Sequence, residues 1–245
     1  MARFETANNI INRAAVEVGL NKSADPVAST NDAFIQMTEL LTGGGQEMVE
    51  MFAWQGLVMP FQVITSSADS GTYPLPDDFS YMIDQTGWEY TNRVSMGGPL
   101  SAQDWTYLRG RDLVSQSIYA SFRIMDNEFS IYPNDPVPDA LDINFEYISR
   151  NWVQEVANGD KKDHITAGSD IVLYEPILII KFLKVKFLES RGFDATAAKT
   201  EFEYLFLSRT GKDTGAPILN AANSSRGFPY LTPYRNTGDT GYGVA

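Results

Sequence analysis

Cysteine is missing altogether from the 245 residues. Its absence excludes disulfides and thiolate metal sites, and nothing in the chain asks for an oxidising compartment. Histidine is almost as scarce, with His164 of NGDKKDHITAG standing alone. One imidazole cannot make a zinc site, which takes several N or S ligands. Nor does it bring the nucleophile and orienting acid that a triad needs, so it reads as a solvated loop residue. Basic charge is short too: 19 Lys and Arg stand against 31 Asp and Glu, a formal net charge of −12. Proteins that grip DNA gain affinity by displacing counterions with cations. No such grip is expected here, whereas a surface that duplex DNA slides past fits the charge. Long hydrophobic runs are also lacking. The greasiest stretch, PILIIKFLKVKFL at 176–188, is broken by Lys181, Lys184 and Lys186, too short and too charged to span a bilayer. The opening MARFETANNI is amphipathic, without the apolar centre of a secretory signal. A soluble protein with no membrane anchor is expected.

What is present is a globular composition, 43% hydrophobic and 20% charged, long enough to bury a core. Ala7, Ile10, Ile11, Ala14, Ala15 and Val18 have the spacing of a helix with one buried face, and Gly19 is a plausible stop. Asp25-Pro26 blocks continuation, and Thr30 or Asn31 caps a second helix whose face carries Phe34, Ile35, Leu40 and Leu41. The three glycines of TGGGQ, at 43–45, cost about 1 kcal/mol each against alanine in a helix interior. A kink or short break is therefore predicted there, with the pattern resuming through Met48, Met51, Phe52 and Trp54. Helical period returns at Ile171, with Pro176 tolerated in the first turn and Gly192 as the stop. Asp194 then caps a last helix running to about Arg209.

Between these helices the chain turns β-branched and aromatic. Ile118, Ala120, Phe122 and Ile124 alternate with polar or small residues, as do Leu141, Ile143, Phe145 and Tyr147. MDNE, at 125–128, is a hairpin turn. The predicted fold class is α+β. An α-helical bundle is formed by both ends of the chain, residues 1–56 and 171–210. An antiparallel β-domain at 57–170 is inserted between them, and an extended C-terminal tail occupies 211–245.

Candidate chemistry concentrates in GWEYTNRVSMGGPLSAQDWTYLRG, at 87–110. SMGGPL lacks the glycine spacing that cradles phosphate. It reads instead as a turn into a short helix capped by Ser101, with Asp104 close to a capping-box position and Trp105 and Leu108 buried. Trp88 and Trp105 are the alternative contact residues of this corner. Carboxylate pairs for glycoside hydrolysis can be drawn from Asp77, Asp78, Asp84, Glu89 and Asp104, but 31 acids make such pairs by chance. DNE and NDPVPD lack the calcium-loop pattern. No catalytic, cofactor-binding or metal residue is assigned, and no cofactor is expected. Lys181 and Lys184 are helix-spaced, which suits either a snorkelling edge or a contact with an acidic subunit surface.

Taken whole, the chain resembles the head-to-tail adaptor proteins of short-tailed phages, the tail tubular protein A and packaged-DNA-stabilisation group. The resemblance rests on ANNIINRAAVEVGL, the DPVAST link, a second helix ending in EMFAWQ, the YPLPDDF turn, two late helices and a polar tail. It covers most of residues 1–210 as an order of elements. It implies a non-enzymatic virion protein at the head–tail junction, assembled in the host cytoplasm into a homo-oligomeric ring of about twelve subunits. Such a ring binds the portal protein, extends the DNA channel without specific DNA binding, and offers a platform to tail nozzle or tail-hub proteins. The tail segment RGFPYLTPYR, with Phe228, Pro229, Tyr230, Leu231 and Tyr234, is composed as an extended strand with aromatic anchors. It is expected to dock on the portal or on a neighbouring subunit. The alternative class is a phage tail component that binds carbohydrate or hydrolyses glycosides, with the tryptophans as sugar platforms.

Overall fold

The computed structural model describes residues 3–110, 121–132, 134 and 136–213. Strand β1 (Glu5–Thr6) leads into α1 (Ala7–Glu17), and α2 (Asp32–Met51) follows the Pro26 link. The middle contains β2 (Val58–Ile64), β3 (Thr72–Pro74), β4 (Phe79–Met82), β5 (Trp88–Glu89) and β6 (Val94–Ser95). After α3 (Ala102–Gly110) come β7 (Ser121–Met125), β8 (Glu128–Tyr132) and β9 (Asp142–Ser149). Three short strands, β10 (Val153–Gln154), β11 (Lys161–Lys162) and β12 (Ile171–Val172), precede α4 (Pro176–Ser190) and α5 (Thr196–Asp213).

The expected bundle made by the two chain ends, with a single inserted β-domain, is not what forms. The described residues make a mixed α+β fold of five helices and three antiparallel sheets. The reason lies in α4, whose Leu178, Ile179, Ile180, Phe182, Leu183 and Val185 are all buried. A helix apolar on every side must be covered on every side. Helices α1, α2 and α5 pack against it, but the same core also takes in Ile148 of β9, Trp152, Val153 of β10 and Val172 of β12. The sheet β1-β12-β10-β11 runs from the N-terminal strand to the entry of α4, with Glu5 opposite Val172 and Thr6 opposite Ile171. Strands thus complete the hydrophobic enclosure that the helices begin.

The predicted break in α2 does not occur either. The helix runs without interruption through Gly43–Gly45, capped by Asn31, whose side chain accepts from the Ala33 amide at 2.9 Å. Here missing side chains matter more than helix propensity. A Cβ on Gly44 would lie 2.8 Å from the Phe182 ring, and one on Gly45 would lie 2.3 Å from the Trp152 ring. Tyr174 donates its hydroxyl hydrogen to the Gly45 carbonyl at 2.8 Å. The glycines let the helix backbone touch two rings.

A second core lies between the other two sheets, β2-β9-β5-β6 with β4 also on β9, and β3-β8-β7. Strand β2 pairs with β9 over its full length, from Val58 opposite Ile148 to Ile64 opposite Asp142. Ile143, Phe145 and Tyr147 alternate inward from β9. Phe145 stacks on Phe61 at 4.5 Å and meets Phe129 at 5.3 Å, and Phe129 meets Phe122 at 5.1 Å. The MDNE turn closes β7 on β8 with Asp126 and Asn127 at φ 55° and 58°, the left-handed pair of a type I′ turn. Ser101 caps α3 by accepting from the Asp104 amide at 3.1 Å. Trp105, Leu108 and Tyr132 form a small third cluster.

Helix α5 continues to Asp213, past the expected end near Arg209. Its last residue is anchored: the Gln55 amide donates to the Asp213 carboxylate at 2.8 Å, and Arg3 lies 3.8 Å from it. The strand positions Ile118 and Ala120 lie outside the described residues, as do Phe228, Pro229, Tyr230, Leu231 and Tyr234.

Candidate functional site

The acids that could have served catalysis are placed one by one. Asp78 accepts hydrogen bonds from the Tyr147 hydroxyl at 2.9 Å and the Ser149 hydroxyl at 2.6 Å, and its own carbonyl takes the Arg150 amide at 2.8 Å. Burial, then the hydrogen bond to Asp78, pushes the Tyr147 phenol far above its ordinary range. Asp78 therefore ties the YPLPDDF turn to the end of β9, while Asp77 beside it is exposed. Glu89 is 1% exposed and its two oxygens accept from the Thr91 and Asn92 amides at 2.6 and 2.7 Å. Asp104 accepts from the Ser101 hydroxyl at 2.7 Å, and Asp84 is exposed.

His164 sits on the surface with its Nδ1 2.7 Å from Asp163. That imidazole hydrogen bond, against a smaller opposing effect of burial, holds the Asp163 carboxyl below its usual range. An open cleft of about 400 Å³ lies near these groups, lined by Asp77, Asp78, Arg150, Asn151, Lys161, Lys162 and Asp163. Among the described residues no cluster of His, Asp and Glu has the makings of a metal site.

Asp170 was not singled out from sequence, yet it is fully buried. Its Oδ2 accepts from the Thr166 and Ala167 amides, both at 2.9 Å, and from Lys162 at 2.9 Å. Its backbone carbonyl accepts from the Ala7 amide at 2.8 Å. Burial alone would raise its pKa; the Lys162 hydrogen bond, the two amides and the lysine charge outweigh it and hold the carboxyl low. Asp170 locks the loop ahead of β12 onto the start of α1.

Lys181 and Lys184 are engaged within the chain. Lys181 reaches Glu17 of α1 at 2.8 Å and Glu201 of α5 at 2.9 Å, and Lys184 lies 3.3 Å from Glu17. Burial works against both partners' charges, but the lysine contacts outweigh it to lower Glu17, and the carboxylates likewise raise Lys181. The lysines bind α4 to its two flanking helices.

Trp105 is 7% exposed with its ring 6.3 Å from Tyr132, edge to face. Trp88 differs. It is half-buried on β5, and with Tyr90, 57% exposed, it borders a cleft of about 330 Å³. Gln85, Thr86, Asn144 and Glu146 supply the polar part of that lining and Pro60 an apolar wall.

One further surface escaped sequence reading. Helix α5 turns Ala198, Phe202, Leu205 and Phe206 inward, yet Tyr204 is 75% and Leu207 72% exposed. With Ala197 and Thr200 they follow the three-four spacing of a single outward stripe. Phe193, 63% exposed, lies just ahead of it. Apolar residues on both sides of EFEYLFLS were the available signal.

No known family model matches this chain, and no curated protein matches it. Among the described residues no helix is long and apolar enough to cross a membrane.

Proposed function

We propose that this protein is a non-enzymatic structural subunit of a phage virion. In this reading it is one copy of a head-to-tail adaptor ring that binds the portal, extends the DNA channel and carries the tail. The observation that carries the reading is the outward stripe of α5. Tyr204 and Leu207, exposed one turn apart on the same face of α5, support an assembly surface there. The stripe is flanked on one side by Glu203 and on the other by Glu201, which is paired with Lys181, so Glu203 is the charge that a stripe-to-stripe contact would bring against its own copy. Contact with a different, less acidic face of the next copy avoids that repulsion, and such head-to-tail contacts make a ring where the rotation between copies closes. The commitment of Asp78, Glu89 and Asp104 to structural hydrogen bonds favours a scaffold over a hydrolase. The net charge of −12 suits a conduit that DNA passes without adhering.

The test places a photo-crosslinking residue at Leu207 in the full chain and follows self-association by sedimentation velocity. Concentration-dependent association is expected, with crosslinks running from α5 to a different surface of a second copy. Tyr204→Glu with Leu207→Glu should abolish association and leave the thermal midpoint unchanged. Crosslinks from stripe to stripe, or a protein that stays monomeric at ~100 µM, far above the dissociation constant of a stable interface, would overturn the reading.

A further inference from the structure

The cleft on the outer face of the β2-β9-β5-β6 sheet is independent of the α5 stripe and of the assembly reading. Trp88 of β5 and Tyr90, in the turn that follows the strand, both line this cleft. Glu89 between them points inward and is buried. Trp88 lies opposite Asn144, and Pro60 lies opposite Glu146. Two aromatic surfaces therefore stand beside a row of polar side chains. Thr86 is occupied, its hydroxyl bonded to the Ile83 carbonyl at 2.7 Å, and the Asn144 amide nitrogen donates to Asp142 at 2.7 Å. The Trp88 indole N–H, the Tyr90 hydroxyl, the Gln85 amide, the Asn144 carbonyl oxygen and the Glu146 carboxylate remain able to bond a ligand.

We propose that this cleft binds a neutral saccharide. A pyranose ring offers C–H faces that lie on aromatic rings and hydroxyls that both donate and accept, which matches two ring faces bordered by amides, a phenol and a carboxylate. The charge narrows the class. Among the described residues the lining contains Glu146 and neither Lys nor Arg, so a phosphate, a nucleotide or an acidic sugar would meet that carboxylate without a cation of the lining beside it. At about 330 Å³ the space is at the lower end of ligand clefts, ~300–1,000 Å³, enough for one or two sugar units. The site is open, so binding is expected to be weak, with a dissociation constant of ~1 mM.

The chain reports on this site by itself. Trp54, Trp105 and Trp152 are 6%, 7% and 0% exposed, leaving Trp88 as the half-buried one of the four tryptophans. The full chain is titrated with neutral oligosaccharides of glucose, galactose, mannose and N-acetylglucosamine to ~10 mM, about ten times that constant, while tryptophan emission is followed. A saturable shift with at least one of them is expected. Tyr90→Ala should weaken it about tenfold, Trp88→Phe should remove the signal while calorimetry still detects weaker binding, and an acidic oligosaccharide should give none. Thermal midpoints within a degree or so of wild type confirm that each variant is folded. The proposal fails if no neutral oligosaccharide shifts the emission, or if Tyr90→Ala binds as well as wild type. It also fails if Trp88→Ala leaves saccharide binding intact or disrupts subunit association alone, which would make the face a protein contact.

Discussion

Replacing Gly45 with alanine sets two physical effects against each other. Helix propensity favours alanine by about 1 kcal/mol. Packing opposes it, since the new Cβ would lie 2.3 Å from Cε2 and Cζ2 of Trp152 and 2.5 Å from Cη2. The ring has little freedom to retreat. It is 0% exposed, its Nε1 donates to the Asp163 carbonyl at 2.9 Å, and it stacks on Tyr174 with centroids 5.8 Å apart. Overpacking of this kind costs about 1–3 kcal/mol, and any shift of α2 also strains the bond from Tyr174 to the Gly45 carbonyl, about 1 kcal/mol more. Packing wins, and Gly45→Ala should lose about 2 kcal/mol net, the overpacking and hydrogen-bond costs less the propensity gain. Gly43, two residues away, is the control, because a Cβ there meets nothing within 4 Å. Gly43→Ala should gain up to about 1 kcal/mol. For a chain of this size the Gly45 variant should melt about 4–8 °C lower and the Gly43 variant a few degrees higher. Urea unfolding with unchanged m-values checks both. Equal midpoints for the two variants would refute the close approach of α2 to Trp152.

Four other outcomes are expected. Asp78→Ala strands the buried Ser149 hydroxyl and the Tyr147 phenol and should cost about 2–3 kcal/mol, whereas Asp77→Ala, on an exposed side chain, should stay within about 0.5 kcal/mol by urea unfolding. Asp170→Asn removes the anion that faces Lys162, whose side chain keeps access to solvent at the open cleft, and should cost about 1.5–3 kcal/mol at neutral pH. Because the Asp170 pKa is lowered in the folded state, this stabilisation is present above the ordinary carboxylate range and fades as pH falls through the lowered value. The gap between wild type and Asp170→Asn should therefore close on acidification. Truncation after Asp213 keeps the α5 anchor and should leave the thermal midpoint unchanged, while loss of Phe228, Pro229, Tyr230, Leu231 and Tyr234 should, if the proposed docking on the portal or a neighbouring subunit holds, abolish that attachment in a pull-down. Duplex DNA should bind only weakly at physiological salt, and submicromolar affinity in a filter assay would contradict the passive conduit.

Local signals were readable wherever one side chain governs one turn. The α1 stripe, the Ser101 cap, the Asp126-Asn127 turn and the alternation of β9 are all visible in short windows. The bundle expectation failed because the enclosing contacts are distant in sequence and leave no period behind. Strand β1 has two residues, and its partner β12 begins at Ile171; no pattern within either announces the pairing. The glycines of α2 follow the same rule. Their propensity cost is local, while their benefit lies at Phe182 and Trp152, far along the chain. At the candidate surfaces, Trp88 was noticed for its residue type, but the cleft beside it needs Pro60, Asn144 and Glu146 from two other strands. Lys181 and Lys184 looked available for a partner because Glu17 and Glu201 are remote in sequence.

The assembly claim is tested most directly by electron microscopy of the native particle with this chain labelled. The account predicts a ring of identical copies, rotationally symmetric, with α5 of each copy seated on a different face of its neighbour and duplex DNA passing through the centre. A single copy without rotational symmetry, or a ring in which Tyr204 and Leu207 remain bare to solvent, would contradict it.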